Sequence, residues 1–196
     1  YKRQDDNTLV ILTSDNGPVV DDGYQDRAEE LLNGHSPAGP FRGNKYSAFE
    51  GGTAVPFIVS WPRKIKGGAV SKALVSQIDL LSSLGSLVHA RLPKGSAPDS
   101  RNYLPTILGS DQKGRDYVIG QSNTHVLSVL TPQYRYIEPS NGPKMIQWGP
   151  KIETGNLPVS QLYDMTVSPY ETNNVAAEHP DEVSRMQDIL KNERSK

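Results

Sequence analysis

Two short stretches near the start of the chain carry residue types that could do chemistry. In the first, the apolar run Leu9-Val10-Ile11-Leu12 breaks into Thr13-Ser14-Asp15-Asn16-Gly17. An ionised carboxylate beside a side-chain amide oxygen offers hard oxygen ligands to a divalent cation such as calcium or magnesium. Asp-Asn-Gly is equally the composition of a turn after a strand, and turn chemistry alone accounts for it. The second stretch is Gly39-Pro40-Phe41-Arg42-Gly43-Asn44-Lys45, followed by Glu50-Gly51-Gly52. Glycines let backbone come close to a ligand, and Lys45 would bring a compact positive charge to an anion. The plainer alternative is a surface lysine, with Arg42 and Glu50 paired to brace the loop.

Other clusters offer less. Gly34-His35-Ser36-Pro37-Ala38 begins like a nucleophile elbow, but its last glycine is displaced and no strand precedes it. The histidines His35, His89, His125 and His179 are scattered without ligand spacing such as HExxH, and His89 falls at a helix end where a structural role suffices. The segment at Asp15 lacks the alternating ligands and the Glu of an EF-hand loop. Cysteine is absent, which removes disulfides, thiolate zinc sites and cysteine nucleophiles from this chain.

The elements that must position these residues follow from the apolar patterning. Leu9 to Leu12 reads as a strand buried on both faces, typical of a parallel sheet, and ligands of such sheets gather at carboxyl ends of strands. Asp15 and Asn16 fall at that end. Residues up to about Gly39 form a surface excursion around a short helical segment, Asp26 to Leu32. Val55 to Trp61 is a second buried-strand pattern, stopped by Pro62. A helix opens at Ser76 to Asp79, with Asp79 as N-cap and Leu80, Leu81, Leu84, Leu87 and Val88 as its apolar face. Leu92 to Asn102 is loop. From Asp116 the texture changes to short strands at Tyr117–Ile119, His125–Leu130 and Tyr134–Ile137, with Thr131-Pro132-Gln133 as a hairpin turn. A Pro/Gly-rich loop leads to an edge strand at Leu162-Tyr163-Asp164. Pro180 opens a last helix with Val183, Met186, Ile189 and Leu190 as its stripe and Lys191, Arg194 and Lys196 at its negative end.

The chain has 196 residues, 35% hydrophobic and 22% charged, enough to bury a core as one domain or one and a half. A formal net charge of -1 gives no footprint for nucleic acid or an anionic membrane. No apolar run approaches the roughly 18 residues of a membrane span. Tyr1 to Asp6 is polar and leads directly to a core strand, so the chain is expected to be the C-terminal part of something longer.

Taken together, the motifs resemble the type I, formylglycine-dependent sulfatases of the alkaline phosphatase superfamily. That family has a strand ending in Thr-Ser-Asp-Asn-Gly, as at Thr13 to Gly17, then Gly-Pro-Leu-Arg-Gly-x-Lys, as at Gly39 to Lys45. Glu-Gly-Gly, Val-Pro and Trp-Pro follow, as at Glu50 to Gly52, Val55-Pro56 and Trp61-Pro62. Ala97-Pro98-Asp99-Ser100 with Leu104-Pro105 and Leu108-Gly109 is similar to the segment closing the large domain in one bacterial branch. Leu162-Tyr163-Asp164 with Pro169, Glu171 and Asn174 is similar to the C-terminal signature.

The resemblance implies an α/β fold. Residues 1–115 would be the C-terminal part of an alkaline-phosphatase-like α/β domain, and residues 116–196 a small antiparallel sheet packed with a C-terminal helix. It implies calcium, with Asp15 and Asn16 among the ligands, and a catalytic Lys45 touching the sulfate. It also implies hydrolysis of a sulfate ester, with sulfated glycans as a substrate class, in a periplasmic or secreted protein. The alternatives are a related phosphoester or phosphonoester hydrolase, or a non-catalytic binding module.

Departures from the family pattern are Asn44 for a frequent glycine, Ser168 for an aspartate, and Thr53-Ala54 where His-Arg is common. The nucleophile motif Cys/Ser-x-Pro-x-Arg is absent. Ser96-Ala97-Pro98-Asp99-Ser100-Arg101 comes near it with the arginine one place late. Formylglycine, and a pair of metal-binding aspartates, are therefore expected upstream, in a missing N-terminal part of the same chain. This chain alone is expected to be inactive.

Overall fold

The computed structural model describes residues 4–147 and 151–196. The polar start at Tyr1 to Arg3 and the Trp148 to Pro150 portion of the Pro/Gly-rich loop lie outside the described residues. The chain divides into two compact units, each drawn from separated segments. One comprises Tyr1–Thr13 and Pro56–Val118, the other Ser14–Val55 and Ile119–Lys196.

In the first unit, β1 (Val10–Thr13) pairs antiparallel with β2 (Phe57–Ser60), setting Val10 opposite Ser60 and Leu12 opposite Ile58. This corrects the expectation of strands buried on both faces in a parallel sheet. Val10, Leu12 and Ile58 are 55%, 56% and 60% exposed. The physical reason is that among the described residues these strands form a sheet of two, so each has a single paired edge and Leu12 and Ile58 stay largely open to solvent.

The helix α3 (Asp79–Leu87) follows in the same unit. Asp79 is its first residue and Ile78 its N-cap, so the expected capping role is also corrected. Its carboxylate instead accepts from Ser76 N–H at 3.1 Å, Arg101 N–H at 2.9 Å and the Arg115 guanidinium at 2.6 and 2.7 Å. Burial would raise the Asp79 pKa, but these donors hold it below the usual carboxylate range. The buried residues of α3 are Asp79, Ser83 and Gly85, while Leu81 and Val88 of the expected apolar face are exposed. The α4 turn (Leu104–Ile107) ties back when Ser83 Oγ accepts from Tyr103 N–H at 2.9 Å.

The second unit begins with the turn carrying Asp15 and includes two one-turn helices, α1 (Ala28–Leu31) and α2 (Glu50–Thr53). Its sheet runs β3 (Val118–Gln121), β4 (Leu127–Leu130), β5 (Tyr134–Ile137) and β6 (Gln161–Asp164), in that spatial order. The β4–β5 and β5–β6 pairs are antiparallel. Thr131 N–H donates to the Tyr134 carbonyl at 2.8 Å, closing the expected hairpin. Val126, just before β4, and Ile137 of β5 pack into a core with Ala48, Phe49 and Tyr163. The helix α5 (Pro180–Arg194) buries Met186 and Leu190, and Lys191 and Arg194 close its last turn as charge–dipole considerations require.

Candidate active site

The two chemistry-bearing stretches are pressed together backbone to backbone. Gly17 N–H donates to the Gly52 carbonyl at 3.1 Å, and Lys45 N–H donates to the Pro18 carbonyl at 2.8 Å. A Cβ on Gly17 would lie 1.9 Å from the Gly51 carbonyl oxygen, so only glycine allows this approach. The glycines of Asp-Asn-Gly and Glu-Gly-Gly thus serve one contact rather than two turns.

At the Asp15 turn, Ser14 Oγ donates to the Asn16 carbonyl at 3.0 Å and Asn16 N–H donates to Asp15 Oδ1 at 3.1 Å. Asn16 Nδ2 donates to the Gly17 carbonyl at 2.9 Å, which leaves Oδ1 as the atom that could ligate. Asp15 is exposed, and among the described residues no cation pairs with it. Two oxygen donors in this state fit a hard divalent ion, as part of the roughly six to eight oxygens that calcium takes. Among the described residues no group of three or more His, Cys, Asp or Glu is placed to hold a metal.

Lys45 is no surface lysine. Its side chain is 25% exposed and its Nζ lies 2.8 Å from Asp22 Oδ2. Tyr46 donates its hydroxyl to the other Asp22 oxygen, and the Lys45 ammonium sits 5.1 Å from the centre of the Tyr46 ring. The hydrogen bonds from Lys45 and then Tyr46 hold the Asp22 carboxyl below the usual range, and Asp22 in turn raises the Lys45 pKa. Sequence reasoning singled out neither Asp22 nor Tyr46. The one local signal is the acidic pair Asp21-Asp22 in a loop facing a lysine, and nothing in the spacing names its partner.

The loop bearing Lys45 is braced from the C-terminal part of the same unit. Arg42 donates from Nε to Glu153 Oε2 at 2.6 Å, from Nη2 to Glu153 Oε1 at 3.0 Å, and from Nη1 to the Glu171 carbonyl at 2.9 Å. Its guanidinium carbon lies 4.0 Å from the centre of the Phe49 ring. The expected Arg42–Glu50 brace is therefore corrected. Glu50 pairs instead with Arg135 of β5, and its N–H donates to Glu171 Oε2 at 2.8 Å. Arg135 Nε lies 2.9 Å from Glu171 Oε1 without hydrogen-bond geometry, and the two side chains are 1% and 0% exposed. The brace changed partners because a fork-shaped guanidinium satisfies a carboxylate from two nitrogens at once, and Glu153 accepts from two nitrogens of Arg42.

Alongside this geometry stand the likenesses to known proteins. The family model described as Sulfatase matches residues 2–90. The chain is 50% identical over 185 residues to an N-acetylgalactosamine-6-O-sulfatase of Bacteroides thetaiotaomicron, covering 94% of this chain and 36% of the relative. It is 26% identical over 208 residues to an ulvan-active sulfatase of Formosa agariphila, covering 95% and 36%. A solved structure described for glycosaminoglycan metabolism by Bacteroides thetaiotaomicron matches with a TM-score of 0.92 at 48% identity, over 98% of this chain and 40% of that one. A Pseudoalteromonas sulfatase structure, at 22% identity and a TM-score of 0.72 over 98% and 38%, shares the fold. The fold class is thus the alkaline-phosphatase-like α/β fold, joined to a small antiparallel sheet and a C-terminal helix. Over residues 2–90 the chain matches the sulfatase family, and it spans 36% to 40% of the length of the first relatives it matches.

Proposed function

We propose that the full-length protein hydrolyses a sulfate ester of a sulfated glycan, with the 6-sulfate of N-acetylgalactosamine as its substrate class. The observation that carries this reading is the joining of the Asp15-Asn16-Gly17 turn to the Lys45 loop through the Gly17–Gly52 and Lys45–Pro18 hydrogen bonds. Half identity to a named N-acetylgalactosamine-6-O-sulfatase over 94% of the chain supports the choice of sugar.

In this reading Asp15 and Asn16 are calcium ligands and Lys45 is catalytic. When bound, calcium supplies positive charge beside the sulfate oxygens, and an upstream formylglycine supplies the nucleophile. Lys45 presents its ammonium to the sulfate and bridging oxygens, where negative charge grows as the S–O bond breaks. The loop holds that charge in place beforehand, so little reorganisation is left for the reaction itself.

The chain's partner is the N-terminal part of the same polypeptide, which would provide the rest of the calcium shell, in a periplasmic or secreted protein. In this reading residues 1–115 belong to the large domain and residues 116–196 to a C-terminal subdomain. No helix among the described residues is long and apolar enough to cross a membrane.

The test is an assay of the full-length protein on N-acetylgalactosamine 6-sulfate and on a matched phosphate ester. Lys45→Ala is expected to lower turnover of the sulfate ester by at least about 100-fold, the usual cost of losing one preorganised donor. Near-normal kinetics in that variant sink the assignment of Lys45. A preference for the phosphate ester moves the protein to the phosphoester hydrolases, and activity toward neither supports a binding module.

A further inference from the structure

We propose that Asp22 is the positioning residue for Lys45, a clamp that fixes the ammonium by part of its donor set and aims the remaining donor capacity at an anionic ligand. The inference rests on the reading of Lys45 as the residue at the sulfate.

A lysine side chain has four rotatable carbons and a compact, strongly hydrated charge, so on its own it places that charge poorly. Here three contacts restrict it. The backbone N–H is tied to the Pro18 carbonyl at 2.8 Å, the Nζ to Asp22 Oδ2 at 2.8 Å, and the ammonium lies over the Tyr46 ring. Asp22 is itself immobilised, because Tyr46 donates its hydroxyl to the opposite carboxylate oxygen. Lys45 and Asp22 are 25% and 26% exposed, so the pair is open enough to meet a ligand and sheltered enough for the geometry to hold.

The backbone of Tyr46 adds a second, independent sign. Its φ is +80°, in the left-handed region that glycine favours and bulky aromatic residues avoid. Asn123 N–H holds the Tyr46 carbonyl at 3.0 Å, so the sheet side of the unit helps keep the conformation in place. Strain of this kind persists where surrounding structure over-determines it, and it collects at functional sites. A tyrosine kept at a glycine-like position so that its hydroxyl can hold Asp22 is hard to explain as surface decoration.

An ammonium has three donors, so one engaged by Asp22 and acted on by Tyr46 still has donor capacity for a sulfate oxygen. Asp22 also keeps the ammonium charged, since removing the counter-ion lowers the Lys45 pKa. Asp22 and Tyr46 are the titratable groups that act on the Lys45 ammonium.

The experiment compares the full-length enzyme with its Asp22→Asn, Lys45→Ala and double variants on N-acetylgalactosamine 6-sulfate across pH, with thermal unfolding as the check on folding. Asp22→Asn is expected to lower kcat/KM by about 10- to 100-fold, the cost of a misplaced group. The alkaline limb of its pH profile should move to lower pH, since the carboxylate that raises the Lys45 pKa is gone. The double variant should match Lys45→Ala within about twofold, because Asp22 acts through Lys45. If Asp22→Asn fails to fold, Asp22→Glu carries the test: an alkaline limb at the wild-type pH with a lowered kcat supports the clamp, and a wild-type kcat overturns it. A dead Lys45→Ala beside a normal Asp22→Asn overturns the clamp alone. A Lys45→Ala enzyme of near-normal activity removes the underlying reading instead.

Discussion

Glu171 shows how far a single residue of this chain is pushed from its ordinary chemistry. Its backbone has a φ of +54° and its side chain is fully buried. Burial pushes its carboxyl up to about 7, even with Arg135 beside it and the Glu50 N–H donating to it. A carboxyl raised in the folded state binds its proton more tightly there than in the unfolded chain. Stability from this group is therefore fully present below about 4.5 and is lost as pH rises to about 7. The asymmetry amounts to about 3 kcal/mol, from the conversion of roughly 1.4 kcal/mol per pKa unit. Glu171→Gln keeps an acceptor for the Glu50 N–H and cannot ionise. Urea unfolding at several values between pH 4.5 and 7.5 should show the wild type losing stability relative to this variant. Parallel pH dependence in the two proteins would refute the raised pKa. Glu153 and Asp22 behave oppositely: their partners Arg42 and Lys45 hold them low, so their contributions are lost only as pH falls below the ordinary carboxylate range.

At the scale of elements, the contact between the Asp15 turn and α2 decides whether the site forms. Gly17→Ala forces a methyl group to within 1.9 Å of the Gly51 carbonyl, and backbone on both sides must shift. Overpacking of this kind costs about 1–3 kcal/mol, which a lowered unfolding midpoint would register. An unchanged midpoint would mean that the two turns are loosely apposed. Much of this architecture was legible in the sequence. The hairpin at Thr131 to Gln133, the edge strand at Leu162 to Asp164 and α5 were readable because each rests on a local signal of turn chemistry, alternation or a helical stripe. The α2 turn was not, since Gly51 and Gly52 are poor helix formers held there by tertiary contact. Nor was the pairing of β1, because a run such as Val10-Ile11-Leu12 states its hydrophobicity without stating its neighbour. In the site, Asp15, Asn16 and Lys45 stood out by type and spacing. The partners Asp22 and Glu153 did not, and Glu171 stood out only within the C-terminal signature and not as a partner of the loop, because Arg42 reaches Glu153 across 111 positions and no local pattern encodes that choice.

At the scale of the whole molecule, the first unit leaves an apolar cross-strand pair bare. Leu12 and Ile58 stand opposite each other in a two-stranded ribbon whose outer edges are unpaired among the described residues. Such a surface is a template for association. The 196-residue chain made by itself is expected to self-associate as its concentration rises, and Leu12→Ser with Ile58→Ser should reduce this. Sedimentation of the wild-type chain as a monomer at every concentration would overturn the expectation.

The Arg42 brace has a consequence for how such proteins can be recombined. One guanidinium joins the Lys45 loop to Glu153 and to the backbone of Glu171, while Arg135 of the C-terminal sheet closes on Glu50. The last third of the chain is therefore no interchangeable cassette. A chimera that grafts a relative's C-terminal sheet onto this loop inherits working geometry only when the two arginines and three glutamates travel as one set. Substrate preference and the distal sheet would then be expected to pass from one homologue to another together.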